Sequence, residues 1–316
     1  MALISVLTGI YNETFEELEA SISSILTQSF TDFELILVND NPKRPKLESF
    51  LQDQAKRDAR IRLLKNSRNM GLASSMNRAA NAAKGVYLAR MDADDISMPD
   101  RLRLQLEHML RTDCGLVCTC YQTIDAQGKL LSKTSPFYTP GRLSTLLPLR
   151  NIIHHPTVMM RRDLFWQAGG YRHFLCAQDY DLWLRFLRME VRMEMLPKPL
   201  LQYRIRPLST TGQKRFLQAL TLNYLRRCHR RSVRSGKDRH TPDSYHRYLA
   251  KYGVSSPRRA ASFYRAEELI HKSHTLSGRR KYLLCLRAAA ISPAHRRNFH
   301  YQLPQLLHRK EEFPHA

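Results

Sequence analysis

Apolar residues come in short unbroken runs through the first hundred positions, with helically spaced apolar residues between the runs. Residues 3–10, 33–38, 61–65 and 86–91 each have the length and composition of a buried strand. Between them, residues 15–28 repeat apolar side chains at Phe15, Leu18, Ile22, Ile25 and Leu26. Residues 45–56 read as a second helix, and 71–84 as a third that Gly85 stops. Strand and helix alternating in this way predict an α/β domain, a mostly parallel sheet covered by helices on both faces. Ligands of such sheets sit beyond the carboxyl ends of the strands.

The pattern then loosens. A helix is expected from Pro99 with Leu102, Leu106, Met109 and Leu110 on one face. A hairpin is expected over 115–131, turning at Asp125–Gly128. A strand follows at 156–161, a turn at Gly169-Gly170, an amphipathic helix at 178–189, and one or two short strands within 191–206. From about residue 212 the pattern is helical, with breaks near 235–243, 253–257 and 277–278. The expected organisation is a domain over 1–211, with halves of about 1–112 and 113–211, and a helical region over 212–316.

Candidate chemistry collects at the expected strand ends. Asp92-Ala93-Asp94-Asp95 directly follows the fourth strand. In an extended segment Asp92 and Asp94 face the same way, and two carboxylates side by side repel unless a cation lies between them. Oxygen ligands of this kind suit Mg²⁺ or Mn²⁺, which in turn grip a diphosphate. The competing reading is an acidic loop in which Asp95 or Ser97 caps the helix at Pro99. Three further loops lie at the same edge. Strand one ends at Gly9-Ile10-Tyr11-Asn12, where Gly9 admits a close ligand and Tyr11 offers a ring for a base. Strand two ends at Asp40, able to accept hydrogen bonds from a base or ribose, and strand three leads to Asn69. Each alone is a turn or cap. Together with the acidic pair they make Gly9, Tyr11, Asn12, Asp40, Asn69 and Asp92 candidates to hold a nucleotide through its base, ribose and diphosphate, with Asp94 and Asp92 as metal ligands.

The segments ISVLTGIYNE, SISSILTQSFTDFELILVND and NMGLASSMNRAANAAKGVYLARMDADDISMPDRL resemble glycosyltransferase family 2 of the GT-A fold. The motifs come in that family's order and spacing, and the resemblance spans about residues 3–206. It implies a Rossmann-like sheet and an inverting transferase that uses a nucleotide sugar, usually a UDP-sugar, with Mn²⁺ or Mg²⁺. It also implies that Gly9, Tyr11 and Asp40 line the nucleotide, that Asp92 meets ribose or metal, and that Asp94 ligates the metal. In Gln178-Asp179-Tyr180-Asp181, Asp179 matches the family's catalytic base. An inverting transfer needs one, because a carboxylate must take the acceptor's proton as the hydroxyl attacks. Asp181 then orients neighbours. The stretch from Asn151 through His154 and His155 resembles the acceptor-side loop, with His155 near the acceptor or simply structural. Gln178 replaces a usual Glu, Pro42 a small hydroxyl residue, Met76 an Arg, and Arg206 a frequent His.

Charge changes the picture only toward the end of the chain. The net charge of +23 is concentrated in residues 201–316, which hold 25 Lys+Arg against 6 Asp+Glu and nine of the 13 histidines. Residues 212–234 read as a basic amphipathic helix, with Arg226, Arg227, Arg230, Arg231 and Arg234 among Phe216, Leu217, Leu220, Tyr224 and Leu225. An anionic membrane surface or a nucleic acid fits such a face. The absence of a recognisable reading module argues against nucleic acid. Leu269, Ile270, Leu283, Leu284 and Leu286 are expected to pack inward in a helical pair over 258–291.

Other classes fare less well. No apolar stretch nears the roughly 18–20 residues that cross a bilayer, and the start does not read as a secretory signal. The expected location is the cytosol, peripheral on the inner face of the membrane. Cys118 and Cys120 are expected reduced in a strand, because no second pair follows at zinc spacing. A sugar nucleotidyltransferase would need a basic glycine-rich loop where Tyr11-Asn-Glu-Thr-Phe-Glu-Glu stands. The sequence-level expectation is transfer of a sugar to a glycan or lipid-linked acceptor, with a nucleic-acid-binding protein or an inactive scaffold homologue as alternatives.

Overall fold

A computed structural model describes residues 2–206, 214–273, 275–276 and 278–296. The chain divides into two compact units, 1–209 and 210–316. The first unit opens with β1 (Ile4–Ile10), α1 (Phe15–Leu26), β2 (Phe33–Asn39), α2 (Pro45–Arg57), β3 (Ile61–Lys65), α3 (Leu72–Ala82) and β4 (Tyr87–Asp92). It continues with β5 (Ile96–Ser97), α4 (Arg101–Thr112), β6 (Leu116–Ile124), β7 (Leu130–Ser132) and α5 (Pro140–Leu146). A 3₁₀ turn (His155–Thr157), β8 (Met159–Arg161), α6 (Arg162–Gln167), α7 (Gln178–Arg188) and β9 (Met193–Arg204) complete it.

Among the described residues one nine-stranded sheet runs β3-β2-β1-β4-β8-β6-β9-β5, with β7 on the flank of β6. The long pairings, β2–β3, β1–β2, β1–β4 and β6–β9, are parallel, and the short ones antiparallel. This is the mostly parallel α/β arrangement of the GT-A resemblance. β1 and β2 are buried along nearly their whole length because helices cover both faces, which is why they read as unbroken apolar runs. α1 starts in a capping box, the Thr14 side chain accepting from the Glu17 amide while Glu17 accepts from the Thr14 amide.

Several expectations need correction. The strand after α7 is one of 12 residues, not one or two short ones, and pairs with β6 in parallel through register shifts near Pro199. β8 begins at Met159 because residues 155–157 form the 3₁₀ turn. α4 starts at Arg101 with no side-chain cap, so neither Asp95 nor Ser97 caps it. α3 stops at an extended Ala83, not at a glycine stop. Gly85 serves another need. Its amide donates to Ser5 Oγ, and a Cβ there would lie 2.6 Å from the Ser5 backbone nitrogen. Close approach of the α3–β4 turn to β1 therefore excludes any side chain.

The second unit contains α8 (Arg215–Ser235), α9 (Pro242–Lys251), α10 (Pro257–Ser273) and α11 (Gly278–Ile291). Residues 212–213 of the expected basic helix lie outside the described residues. Its apolar stripe is consumed internally: Phe216, Leu220, Tyr224 and Leu225 are buried, with Phe216 against Phe263 and Tyr224 against Tyr245 and Tyr248. Arg226 is also buried and donates to Asn223, so four of the five expected basic side chains, Arg227, Arg230, Arg231 and Arg234, are exposed. The expectation for α11 fails at Leu283 and Leu286, which are 55% and 37% exposed. Cys285, Ala288 and Ala289 face inward instead, since small residues let the paired helices approach.

Gly85→Ala should lower stability by about 1–3 kcal/mol through overpacking against β1. Gly141→Ala, a helical glycine with nothing within 4 Å of its would-be Cβ, should be neutral or slightly stabilising. Chemical denaturation of both variants checks this.

Candidate active site

The sheet order reverses direction at β1, which has β2 on one side and β4 on the other. Gly9 pairs with Val38 on β2 and with Asp92 on β4, so Asp40 and Asp92 flank the end of β1 on opposite sides. This is the switch-point crevice expected to take ligands in a doubly wound sheet.

Asp92 closes β4, and the next residues turn rather than extend, with the Asp95 amide donating to the Asp92 carbonyl. A turn, not strand alternation, therefore brings Asp92 and Asp94 together. β9 grips that turn. The Arg204 amide donates to Asp95 Oδ1 at 2.9 Å, and its guanidinium donates to the Asp94 carbonyl at 2.8 Å and to the carbonyls of Asp125 and Ala126. Beneath it, the buried Arg90 pairs with the Asp92 carboxylate. The fully buried Arg101 donates to the Arg90 carbonyl and to Gln105, which spans to the carbonyls of Val117 and Thr157. Burial pushes Arg101 down to about 9.

The acidic groups raise one another. Burial, then the neighbouring Asp92, lifts Asp94 to about 7. Asp95 is raised well above the usual carboxylate range by burial and by Asp92 and Asp94. Glu13, which accepts from the Tyr11 amide, is raised chiefly by burial. Arg206 answers this charge, Nη2 lying 2.7 Å from Asp94 Oδ2 and Nη1 3.2 Å from Glu17 Oε2.

Asp179 is the second residue of α7, after an Ala177 cap in the left-handed region with φ 57°. Its Oδ2 accepts from Asn151 Nδ2 at 2.9 Å. Burial raises its proton affinity; the Asn151 bond and the amides of Tyr180 and Asp179 oppose the rise, and the charge of Asp92 adds to it. His154, stacked on Tyr121 at 4.4 Å and edge-on to Tyr203 at 4.3 Å, is lowered to about 4 by burial and stays neutral.

Other expected residues sit differently. The would-be Cβ of Gly9 meets Met76 at 3.1 Å and Leu72 at 3.4 Å, so its missing side chain admits α3 rather than a ligand. Asp40 is buried and already accepts from Asn66, Met70 and Gly71 at 2.7–2.9 Å, tying the 66–71 loop to the edge with one of about four acceptor positions left. Asn69 accepts from the Gly71 amide, and Asn12 from Asn41. Tyr11 is exposed at the rim. His155 is buried, bonded to the Tyr171 hydroxyl at 2.8 Å and edge-on to Trp183. Asp181 is buried in a pair with Arg185 Nη2 at 2.8 Å, with Arg172 at 3.6 Å. The sequence reading did not find the supporting residues Arg90, Arg101, Arg204 and Glu17, nor the bond from Asn151 to Asp179. Two arginines inside otherwise apolar stretches were the available signal.

The donor set fits a hard divalent cation. Among the described residues no group of three or more His, Cys, Asp or Glu is arranged to hold a metal. Mg²⁺-type sites are commonly built from one or two carboxylates, with substrate phosphates and water completing the shell. Asp94 and Asp92, half-buried side by side on one turn, are such a pair.

Residues 5–169 match the family described as Glycosyl transferase family 2. An uncharacterized glycosyltransferase of Methanocaldococcus jannaschii is 34% identical over 205 residues, covering 64% of this chain and 71% of that protein. The O-antigen biosynthesis glycosyltransferase WbnJ of Escherichia coli is 32% identical over 211 residues, covering 66% and 82%. The amylovoran biosynthesis glycosyltransferase AmsE of Erwinia amylovora is 29% identical over 204 residues, covering 64% and 76%. The carboxylate-lined strand ends and a family match over more than half of the sequence lead to one conclusion: the chain belongs to glycosyltransferase family 2.

Proposed function

We propose that this chain is an inverting transferase that moves a sugar from a nucleotide sugar, in the simplest case a UDP-sugar, to a hydroxyl of a glycan or lipid-linked acceptor in cell-surface polysaccharide synthesis. The observation that supports the reading is the half-buried acidic pair Asp92/Asp94 on the turn that closes β4 at the switch point, with a separate carboxylate, Asp179, held by Asn151 in the first turn of α7. The relatives' roles in O-antigen and amylovoran biosynthesis support the acceptor class.

In this reading Asp94 and Asp92 hold Mn²⁺ or Mg²⁺, which when bound neutralises charge on the diphosphate. The rim at Tyr11, Asn12 and Asn69 borders the nucleotide. Asp179 takes the proton of the acceptor hydroxyl as its oxygen bonds to the anomeric carbon. The bond from that carbon to the diphosphate breaks on the opposite face, and the nucleoside diphosphate leaves. The Asn151 amide fixes one oxygen of Asp179 and leaves the other for the proton. Burial makes Asp179 a stronger base than a solvated aspartate.

Through α8, membrane attachment rests on charge, because the apolar stripe of that helix is spent on its own unit. Among the described residues no helix is long and apolar enough to cross a membrane. Four exposed arginines at about 1 kcal/mol each near an anionic leaflet suffice for a salt-sensitive peripheral contact.

Asp179→Asn should cut transfer by about 10²–10⁴-fold while UDP affinity stays within about twofold, measured by turnover of a nucleotide-sugar panel with Mn²⁺ and by calorimetry. Near-native turnover would remove Asp179 from its role. Asp179 must be ionised to act, so kcat/KM should climb as pH rises through its raised pKa. Asn151→Ala removes a stabiliser of the ionised form and should move that limb up by about one pH unit, from a charge-assisted bond of about 1.5–3 kcal/mol. Flotation with anionic and with neutral liposomes should recover the protein only with the anionic ones, and less at high salt.

A further inference from the structure

We propose that Arg206 is the group a divalent cation must displace from Asp94, and that the displaced guanidinium then binds the donor diphosphate, so that cation and nucleotide enter together. The inference rests on the reading of Asp94 as a cation ligand. It goes beyond that reading by giving this chain's arginine a task that a histidine at the same position could not perform.

The guanidinium lies inside the acidic cluster. Nη2 is 2.7 Å from Asp94 Oδ2, and Nη1 is 3.2 Å from Glu17 Oε2. Asp94 and Glu17 have side chains only 14% and 10% exposed, so neither is neutralised by water to any large extent. Asp92, the other candidate ligand, is engaged by Arg90. Arg206 therefore supplies the positive charge at Asp94. Its Nε is buried and finds no partner among the described residues. One donor of the fork is thus left over among the described residues.

An arginine keeps its proton and has no lone pair to offer, so it cannot ligate a metal. A cation arriving at Asp94 meets a positive group already bound to the same oxygen. Like charges a few ångströms apart in a partly dry site repel strongly, so Arg206 must leave. The Glu17 oxygen that it also touches is held by the Thr14 amide at 2.9 Å, which gives the guanidinium a fixed point to turn about. A diphosphate beside the cation offers the forked acceptor that an arginine fits best, including a partner for the idle Nε. Cation alone leaves Arg206 stranded. Nucleotide alone faces an acidic cluster. Each lowers the cost of the other, which is a coupling free energy between two ligands.

The full-length chain and its Arg206→Ala and Arg206→Lys variants are titrated with Mn²⁺, free ion being read by its electron paramagnetic resonance signal, with and without UDP. The wild type should bind Mn²⁺ weakly alone and about tenfold or more tighter with UDP. Arg206→Ala should bind Mn²⁺ alone about tenfold tighter than wild type and lose most of the UDP effect. Arg206→Lys, which keeps the charge without the fork, should bind Mn²⁺ alone like wild type with a smaller UDP effect. The proposal is overturned if Arg206→Ala binds Mn²⁺ alone no tighter than wild type, or keeps the full UDP enhancement. If wild type binds no Mn²⁺ even with UDP, or Asp94→Asn binds it as well as wild type, the cation role of Asp94 falls and this proposal with it.

Discussion

Like charge held at one sheet edge is the constraint on which the rest of this structure depends. Glu13, Glu17, Asp92, Asp94 and Asp95 converge at and around the ends of β1 and β4, most of them with little water. Bringing an ionised group out of water costs several kcal/mol even after relaxation, and mutual repulsion adds to it. The fold answers with arginines drawn from distant segments: Arg90 from β4, Arg101 from α4, Arg204 and Arg206 from the end of β9. These groups also knit the first half of the unit to the second. Arg204 holds the Asp92–Asp95 turn to the β6–β7 hairpin, and Gln105 joins α4 to β6 and the 3₁₀ turn. Compensation is incomplete, as the high proton affinities of Asp94 and Asp95 attest. In the proposed reading, a site left short of positive charge is one that a cation would complete, and holding it together without one lowers stability.

The second half of the unit meets a different requirement. A base must keep its lone pair available and its pKa high enough to accept a proton. In the proposed reading Asp179 meets this by burial, while one amide from Asn151 and the first turn of α7 keep it ionisable. Its carboxylate accepts from the neutral Asn151 amide, whereas Asp92, Asp94 and Asp181 are each paired to an arginine. The division is chemical. Asp92, Asp94 and Asp181 are paired to guanidinium groups, and Asp179, the base of the proposed reading, is paired to a neutral amide.

Much of the first hundred residues was legible because burial on both faces leaves little choice of residue. β1, β2 and β4 are apolar runs for that reason, and their ends had to carry whatever polar chemistry there was. Asp94 and Asp179 stood out as acids beside apolar stretches. What the sequence concealed depends on partners far away along the chain. Nothing in VYLARM says that Arg90 turns to Asp92, or that Arg101 lies under it rather than on the surface of α4. Gly9 and Gly85 look alike as loop glycines, yet one makes room for Met76 and the other for the Ser5 backbone. β9 was unreadable as one strand because Pro197 and Pro199 interrupt its pattern, and only pairing with β6 holds it extended through the irregular register. Asp40 looked free to meet a base; the Met70 and Gly71 amides that occupy it come from a loop whose path local pattern does not fix.

The basic helical unit shows the same ambiguity at larger scale. An amphipathic helix with arginines on its polar face has one periodicity whether its apolar face meets lipid or other helices. Phe263, Tyr245 and Tyr248 decide the matter for α8 by covering Phe216 and Tyr224. Arg226, next to Leu225, goes inward with them and bonds Asn223. What remains outward is charge without an apolar anchor, apart from an exposed Val233. Attraction of that kind has no insertion term, falls off within a Debye length of about 8 Å at physiological salt, and vanishes on a neutral surface. Any membrane contact made through the outward face of α8 alone is therefore reversible and set by the anionic lipid fraction.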